Sequence, residues 1–359
     1  MYDIAIIGLG PSGATLARLI GRQYKVLAID KRDLINEYTG QGAEKCCGGL
    51  LAPDAQEMLA KFGLGLPKNV MVGPQLFAVR AIDINQNLEC YYQRHYINVD
   101  REAFDRWIVS IIPNQVEIKT SATFLRFEEL NDHFKITYRM NNKEYTESVK
   151  VVIAADGACS KLRRLICPKS INISTYISIQ EWFSEPDISP FFSAIFDEEV
   201  TDFYSWTIPK NDLLILGTAI KVDDNAKEKM KRLKEKLKPF GFNFNCCEKR
   251  HGAFILRPES TNQIYTGNGR IAMLGEAAGF ISPSSAEGLS YGFNSAVCLA
   301  KALKDGLDDF IPAYNKYSTA LKMNILLKNL KSPFMYNKTI RKAIMNAGLK
   351  SIQIYSNTQ

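Results

Sequence analysis

Histidine is scarce in this chain of 359 residues: only His95, His133 and His251 occur, none with an Asp or Cys partner at ligand spacing. A histidine-based metal centre or catalytic dyad is therefore not expected, and each of the three reads as structural. No uninterrupted apolar segment approaches the roughly 20 residues needed to span a bilayer. The start, Met1-Tyr2-Asp3, lacks the basic opening and long apolar stretch of a secretory leader. The cysteines form no spaced framework. Cys46-Cys47 and Cys246-Cys247 are adjacent pairs, which suit neither a disulfide lattice nor a zinc site, and a cytoplasmic location is expected. A Gly-x-Ser-x-Gly elbow and a Walker loop are also missing.

One absence is local. From Phe310 to Gln359 there is no Asp or Glu, while Lys316, Lys322, Lys328, Lys331, Lys338, Arg341, Lys342 and Lys350 supply +8 of a net charge of +7. The remainder of the chain therefore carries −1. These cations alternate with Leu326, Leu327, Leu330, Phe334, Met335, Ile340, Ile344, Met345 and Leu349. Two readings fit: a peripheral contact with the inner face of an anionic membrane, or a helical cap whose apolar side packs on the body. Nucleic acid is not expected as a partner, since no recognition motif accompanies the charge.

Against these absences stand three short segments. Gly8-Leu9-Gly10-Pro11-Ser12-Gly13 follows the apolar run Ile4-Ala5-Ile6-Ile7 and is closed by Val26-Leu27-Ala28-Ile29-Asp30. Ala154-Ala155-Asp156-Gly157, with Ser160 and Arg163, follows Val151-Val152-Ile153. Gly275-Glu276-Ala277-Ala278-Gly279 follows Ile271-Ala272-Met273-Leu274, with Pro283 and Gly288 downstream. The first segment has the order strand, tight turn, helix start, strand, acidic residue, which marks a dinucleotide site. Gly8 permits the turn, Gly10 lets backbone approach a pyrophosphate, and Gly13 brings helix close to strand. The helix from about Pro11 offers free N–H groups and the positive end of its dipole. Asp30 falls where a carboxylate holds ribose hydroxyls and repels a 2′-phosphate. Together the segments read as one flavin site.

The organisation is interleaved. A discontinuous FAD-binding domain is expected over 1–74, 97–170 and 260–309. A substrate domain is expected over 75–96 and 171–259, and a basic helical region over 310–359. Period-two strands mark 172–220, including Phe203-Tyr204-Ser205-Trp206 and Leu213-Leu214-Ile215-Leu216-Gly217. Ala226 to Lys238 reads as a charged helix with Met230, Leu233 and Leu237 on one side.

In order and spacing the three segments resemble the para-hydroxybenzoate hydroxylase fold. The fold class implied is α/β: a Rossmann-type FAD-binding domain (PHBH/glutathione reductase-2 type), an inserted antiparallel substrate sheet and a C-terminal helical segment. Two further segments narrow the resemblance to the geranylgeranyl reductase family. Lys45-Cys46-Cys47-Gly48-Gly49 is similar to that family's cysteine-containing glycine loop. Tyr204-Ser205-Trp206-Thr207-Ile208-Pro209-Lys210 resembles its Tyr-x-Trp-x-Phe-Pro signature, with Ile208 in place of Phe. The stretches Cys47 to Ala55 and Gly275 to Ser282 are most similar to the CbrA-like bacterial branch.

The resemblance implies FAD contacts from Gly8, Gly10, Gly13 and Thr15, from Asp30 at the ribose, and from Arg101 near the phosphates. It also implies Ala122 on the adenine side, Asp156 in the second segment, and Cys46, Cys47 and Gly49 in the loop. Glu276, where the family usually has Asp, would face the pyrophosphate or ribityl chain. Gly288 and Leu289 would offer N–H groups to the isoalloxazine. The activity implied is reduction of carbon–carbon double bonds in a polyprenyl or otherwise apolar substrate. Tyr204, Trp206 and Pro209 would line the substrate site, although paired aromatics on a strand also serve as sheet core. Cys47, the better match to the motif cysteine, would donate a proton or pack as a small hydrophobe. Lys210 would hold a phosphate headgroup or lie at the surface. With one nucleotide fingerprint, electrons must come from transient NAD(P)H or another protein. A flavin monooxygenase is the alternative activity, and a flavin-bearing surface or interaction protein with little turnover is a third reading.

Overall fold

The computed structural model describes residues 1–36, 46–184, 189–222 and 224–355. Lys45 of the cysteine loop and 356–359 of the basic tail lie outside the described residues. The opening unit is β1 (Tyr2–Ile7), α1 (Pro11–Ile20) and β2 (Val26–Ile29). Next come β3 (Leu50–Leu51), α2 (Pro53–Lys61), β4 (Leu76–Asp83) and β5 (Leu88–Asn98). The chain returns through α3 (Arg101–Ser110), β6 (Glu117–Lys119), β7 (Ala122–Glu129), β8 (Phe134–Met140), β9 (Lys143–Ala154) and α4 (Lys161–Ile166). Then follow β10 (Ser174–Ser184), β11 (Phe192–Phe196), β12 (Ser205–Lys210), β13 (Leu213–Lys221), α5 (Ala226–Leu237) and β14 (Cys247–Arg257). The chain closes with β15 (Gly267–Asn268), β16 (Ile271–Met273), α6 (Leu289–Ala302), α7 (Phe310–Tyr317), α8 (Thr319–Tyr336), α9 (Lys338–Asn346) and β17 (Ser351–Ile352).

The first sheet runs β15-β16-β9-β1-β2-β6, parallel from β16 to β6, with β8 and β7 added to β9 as an antiparallel flap. Its inner strands are continuous apolar runs because both faces are covered; every residue of β2 is buried. The motif Val151-Val152-Ile153 does not form a strand of its own. It is the parallel half of β9, whose first half pairs antiparallel with β8.

The second sheet, β14-β10-β13-β12-β11-β4-β5-β17, is antiparallel except at β11–β4. It draws on both chain segments expected for the substrate domain, and on β17 from the tail. β12 begins at Ser205, so Phe203 and Tyr204 precede the strand. On α5, Met230, Leu233 and Leu237 are buried against Phe183, Leu214 and Leu216, as the helical spacing predicts.

The basic region is only partly a solvated surface. Arg341 is 5% exposed and its Nε donates to Asp83 at 2.7 Å. Lys322 is half-buried, donating to Asn315 at 2.7 Å, and Lys328 reaches Asp54. Among the described residues, no helix is long and apolar enough to cross a membrane.

Candidate functional site

The three motifs meet at the carboxyl ends of β1, β9 and β16. Gly8, at φ +104°, lies against the Ala155 carbonyl, and a Cβ on Gly13 would overlap the Gly8 carbonyl. Ser12 Oγ fills the space beside Gly275 and Gly292, tying the first motif to the third. Arg163 donates to the carbonyls of Ala277 (2.9 Å) and Gln263 (3.1 Å), and Leu274 N donates to Ala154 O at 2.8 Å, joining second and third. Thr15 is buried in α1, and Ala122 N donates to Asp30 O at 2.9 Å.

Asp30 accepts from Leu9 N at 2.7 Å, which fixes the glycine turn. Its carboxylate also receives Arg32 N at 2.8 Å and the Arg32 guanidinium at 3.2 Å. Arg32 Nη1 continues to Asp105 at 2.7 Å, Asp105 holds Arg101 Nε at 2.8 Å, and Arg101 Nη1 donates to Cys47 Sγ at 3.0 Å. Charges thus alternate from the turn to the cysteine loop. Burial works against the charge on Arg101, but Asp105, and Cys47 after it, more than offset this, so its pKa is raised. Arg101 therefore touches the loop and α3's own Asp105.

The two segments that narrow the family resemblance pack on each other. Cys46 Sγ lies 3.8 Å from Ser178 O on β10. A Cβ on Gly48 would overlap Ile208, and Gly49, at φ +62°, sits against Val99 O and Lys210. Lys210 is neither surface residue nor headgroup ligand. Its Nζ donates to Asn98 Oδ1 (2.5 Å), Val99 O (2.6 Å) and Gly49 O (3.4 Å), leaving no donor for a phosphate. Burial pulls its pKa down to about 7, while Cys47 and Asp100 pull upward. Pro209 is buried, and its carbonyl accepts from Asn98 Nδ2 at 2.7 Å.

Tyr204 and Trp206 have ring centroids 5.4 Å apart, within a cluster that includes Tyr176, Phe203, Ile208 and Ile215. Trp206 lies over Gly217, whose cross-strand partners are Gln180 and Trp206. Direct partners share a sheet face, so Gln180 and Trp206 flank the gap left by this glycine. Gln180 Oε1 and Trp206 Nε1 are both buried with no hydrogen-bond partner. Tyr204 OH donates to Ser285 O at 2.7 Å, which joins the aromatic segment to the third motif. Glu287, directly before Gly288, is half-buried, accepts from Ser290 N (2.8 Å) and Oγ (2.5 Å), and has its pKa raised by desolvation.

Glu276 Oε1 accepts from Leu256 N at 3.0 Å, so this acid bridges to β14. Sequence reasoning missed Arg32, Asp105, Asn98, Gln180 and Glu287. Only Asp105 left a local signal, as the i+4 partner of Arg101 on α3.

No protein-family model matches the chain. Among solved structures, a geranylgeranyl bacteriochlorophyll reductase-like protein from Thermoplasma acidophilum superposes with a TM-score of 0.80 at 18% identity, covering 100% of this chain and 93% of that one. p-Nitrophenol 4-monooxygenase PnpA from Pseudomonas putida gives 0.63 at 15% identity, with 99% of each chain covered. The chain thus shares the α/β fold of these two proteins. CbrA of Escherichia coli O157:H7 and CbrA of Shigella sonnei are each 37% identical over 351 residues, covering 98% of this chain and 98% of theirs. The chain belongs to the CbrA family.

The residues present fit the dinucleotide that this fold implies. No side chain caps the N-terminus of α1 at Gly10, and space beside Gly10 is open. Asp156 Oδ1 is buried without a partner, whereas the N-terminus of α6 is already served by Glu287 Oε1, which accepts from Ser290 N at 2.8 Å. An uncapped helix start and an orphaned carboxylate oxygen are what a ligand with phosphates and hydroxyls would satisfy.

Proposed function

We propose that this chain is an FAD-dependent oxidoreductase that saturates carbon–carbon double bonds in a polyprenyl or similarly apolar substrate. The observation that carries this reading is the packing of the Cys46–Gly49 loop on the Tyr204–Lys210 segment, with both tied to the dinucleotide motifs through Arg101 and Tyr204. FAD, when bound, supplies the hydride from its reduced ring.

The chain's own residues do the rest. The open start of α1 receives the pyrophosphate, and Asp30, whose carboxylate accepts from Leu9 N and from Arg32, holds the glycine turn in place for it. Tyr204 and Trp206 give an apolar wall that aligns an alkene and excludes water. Saturating the bond also needs a proton at the second carbon. Cys47 Sγ donates it, and the thiolate left behind faces the Arg101 guanidinium at 3.0 Å. Gln180 Oε1 and Trp206 Nε1 offer one acceptor and one donor to a polar substituent on an otherwise apolar substrate. Electrons reach the site from a transient nicotinamide or a protein donor.

The test is anaerobic: reduce the holoprotein, add a geranylgeranylated lipid, and follow reoxidation together with product mass. Reoxidation with a hydrogenated lipid supports the reading. A flavin that stays reduced until oxygen enters, then yields peroxide or a hydroxylated product, replaces it with the monooxygenase. No oxidation by either route leaves the surface-protein reading.

A further inference from the structure

On α8, Met323, Leu327, Leu330 and Phe334 are 47%, 50%, 64% and 55% exposed. At 100° per residue these positions fall within about 60° of arc, so they form one continuous stripe along a helix. The opposite side packs inward: Ile325 is fully buried, Asn329 Nδ2 donates to Pro258 O at 3.2 Å, and Tyr336 OH donates to Ser284 O at 2.7 Å. An apolar stripe on the solvent side of a docked helix has no role in the chain's own core.

Its surroundings are of one charge sign. Lys331 lies on α8 beside the stripe, and Lys338 and Lys342 follow on α9, all exposed. No acidic residue occurs from Phe310 onward to offset them. The cations that serve internal contacts are different ones: Lys322, Lys328 and Arg341. The structure thus separates structural cations from those left at the surface, and the surface set borders the stripe.

We infer that α8 docks in the plane of an anionic lipid bilayer, its Met323–Phe334 stripe entering the acyl boundary while Lys331, Lys338 and Lys342 meet lipid phosphates. Apolar burial and headgroup charge are the two signals that stable peripheral attachment requires. The buried side of the same helix touches the candidate site, because Tyr336 stacks on Phe203 with centroids 5.6 Å apart. Docking therefore sets the aromatic wall next to the phase that holds apolar substrates. That consequence rests on the reductase reading; the docking does not.

Flotation of the full-length holoprotein with vesicles tests this without turnover. One set is phosphatidylcholine alone, the other contains phosphatidylglycerol. Binding to the anionic vesicles is expected, with roughly tenfold loss at high salt as the charges are screened. The double variant Leu327→Glu/Leu330→Glu should reduce binding about tenfold or more, and Leu327→Ser/Leu330→Ser should weaken it without adding charge. Both positions are exposed, so unchanged flavin content and circular dichroism serve as the folding control. Failure to float with anionic vesicles, or equal flotation of the stripe variants, overturns the proposal. So does a dimer in light scattering that the stripe variants dissociate, which would assign the stripe to a second copy of the chain.

Discussion

Arg101 touches Asp105 and Cys47 at once, donating from Nε at 2.8 Å and from Nη1 at 3.0 Å. Asp105 also holds Arg32, whose guanidinium returns to Asp30 at the glycine turn. The position of the cysteine loop is thereby coupled to the dinucleotide turn by side chains distant in sequence. Asp105, with no side-chain exposure, is the shared anion between two cations. Replacing Asp105 by Asn should cost about 3–5 kcal/mol, the usual penalty for breaking a buried pair from one side. Urea unfolding measures it. A shift of the midpoint no larger than that of a surface substitution would remove the coupling.

Cys47→Ala should leave flavin content and reoxidation by oxygen unchanged while slowing alkene reduction by about 10²-fold or more, the ordinary value of a positioned acid. Arg101→Lys should also slow it, because a single ammonium cannot hold Asp105 and the sulfur with the geometry of a guanidinium fork. Single-turnover reoxidation with lipid, compared with oxygen, separates the two effects. Equal slowing of both reactions by Cys47→Ala would point to a disturbed flavin site instead of a lost proton.

Lys210 gives a pH signature. Its pKa in the folded chain is about 7, lowered by burial, against ~10.4 for an unfolded lysine. Between these values the unfolded state binds the extra proton, so stability rises with pH through that window and is flat below it. A neutral amine keeps two N–H donors, enough for Asn98 and Val99, and releases Gly49 O, the longest of the three contacts. The stability of the native protein relative to Lys210→Met should therefore improve from pH 7 to pH 10. Thermal melts of both proteins across this range check it, and a constant difference would show that the ammonium is retained.

The three motifs were legible because each requires particular residues at fixed spacing: Gly8, Gly10 and Gly13 before a helix, Asp30 at the end of the next strand. Their meeting point was legible too, since parallel strands place such turns at one edge of a sheet. Lys210 was not, because its three acceptors come from Gly49, Asn98 and Val99, which only the tertiary fold brings together. The same holds for Gln180 and Trp206, which become neighbours across Gly217 through strand register alone. The bond from Leu256 N to Glu276 Oε1 was not legible either, because only the fold brings β14 beside the third motif.

Gly217→Ala probes the aromatic wall directly. A Cβ there would overlap the Trp206 ring, so the ring must tilt away from β13. Overpacking of this kind costs about 1–3 kcal/mol. Indole fluorescence should shift as Trp206 moves, and turnover of an apolar substrate should fall more than flavin affinity. Wild-type fluorescence with wild-type turnover would show that Trp206 is sheet core without contact to substrate.

Charge in the tail divides by burial, and Arg341 marks the division. Its partner Asp83 has no side-chain exposure, and Arg341 Nη1 also donates to Met335 O at 2.9 Å. Arg341→Met should destabilise by about 3–5 kcal/mol, because the Asp83 carboxylate is left buried and uncompensated. Adding Asp83→Asn to that background removes the stranded charge, and part of the loss should return. Exposed Lys342, one residue on, should tolerate Lys342→Glu within about 0.5 kcal/mol while weakening vesicle binding. Unfolding and flotation on the same three proteins thus read opposite outcomes from adjacent cations. If Arg341→Met left stability untouched, the Asp83 contact would hold no energy, and Arg341 would rejoin the surface lysines.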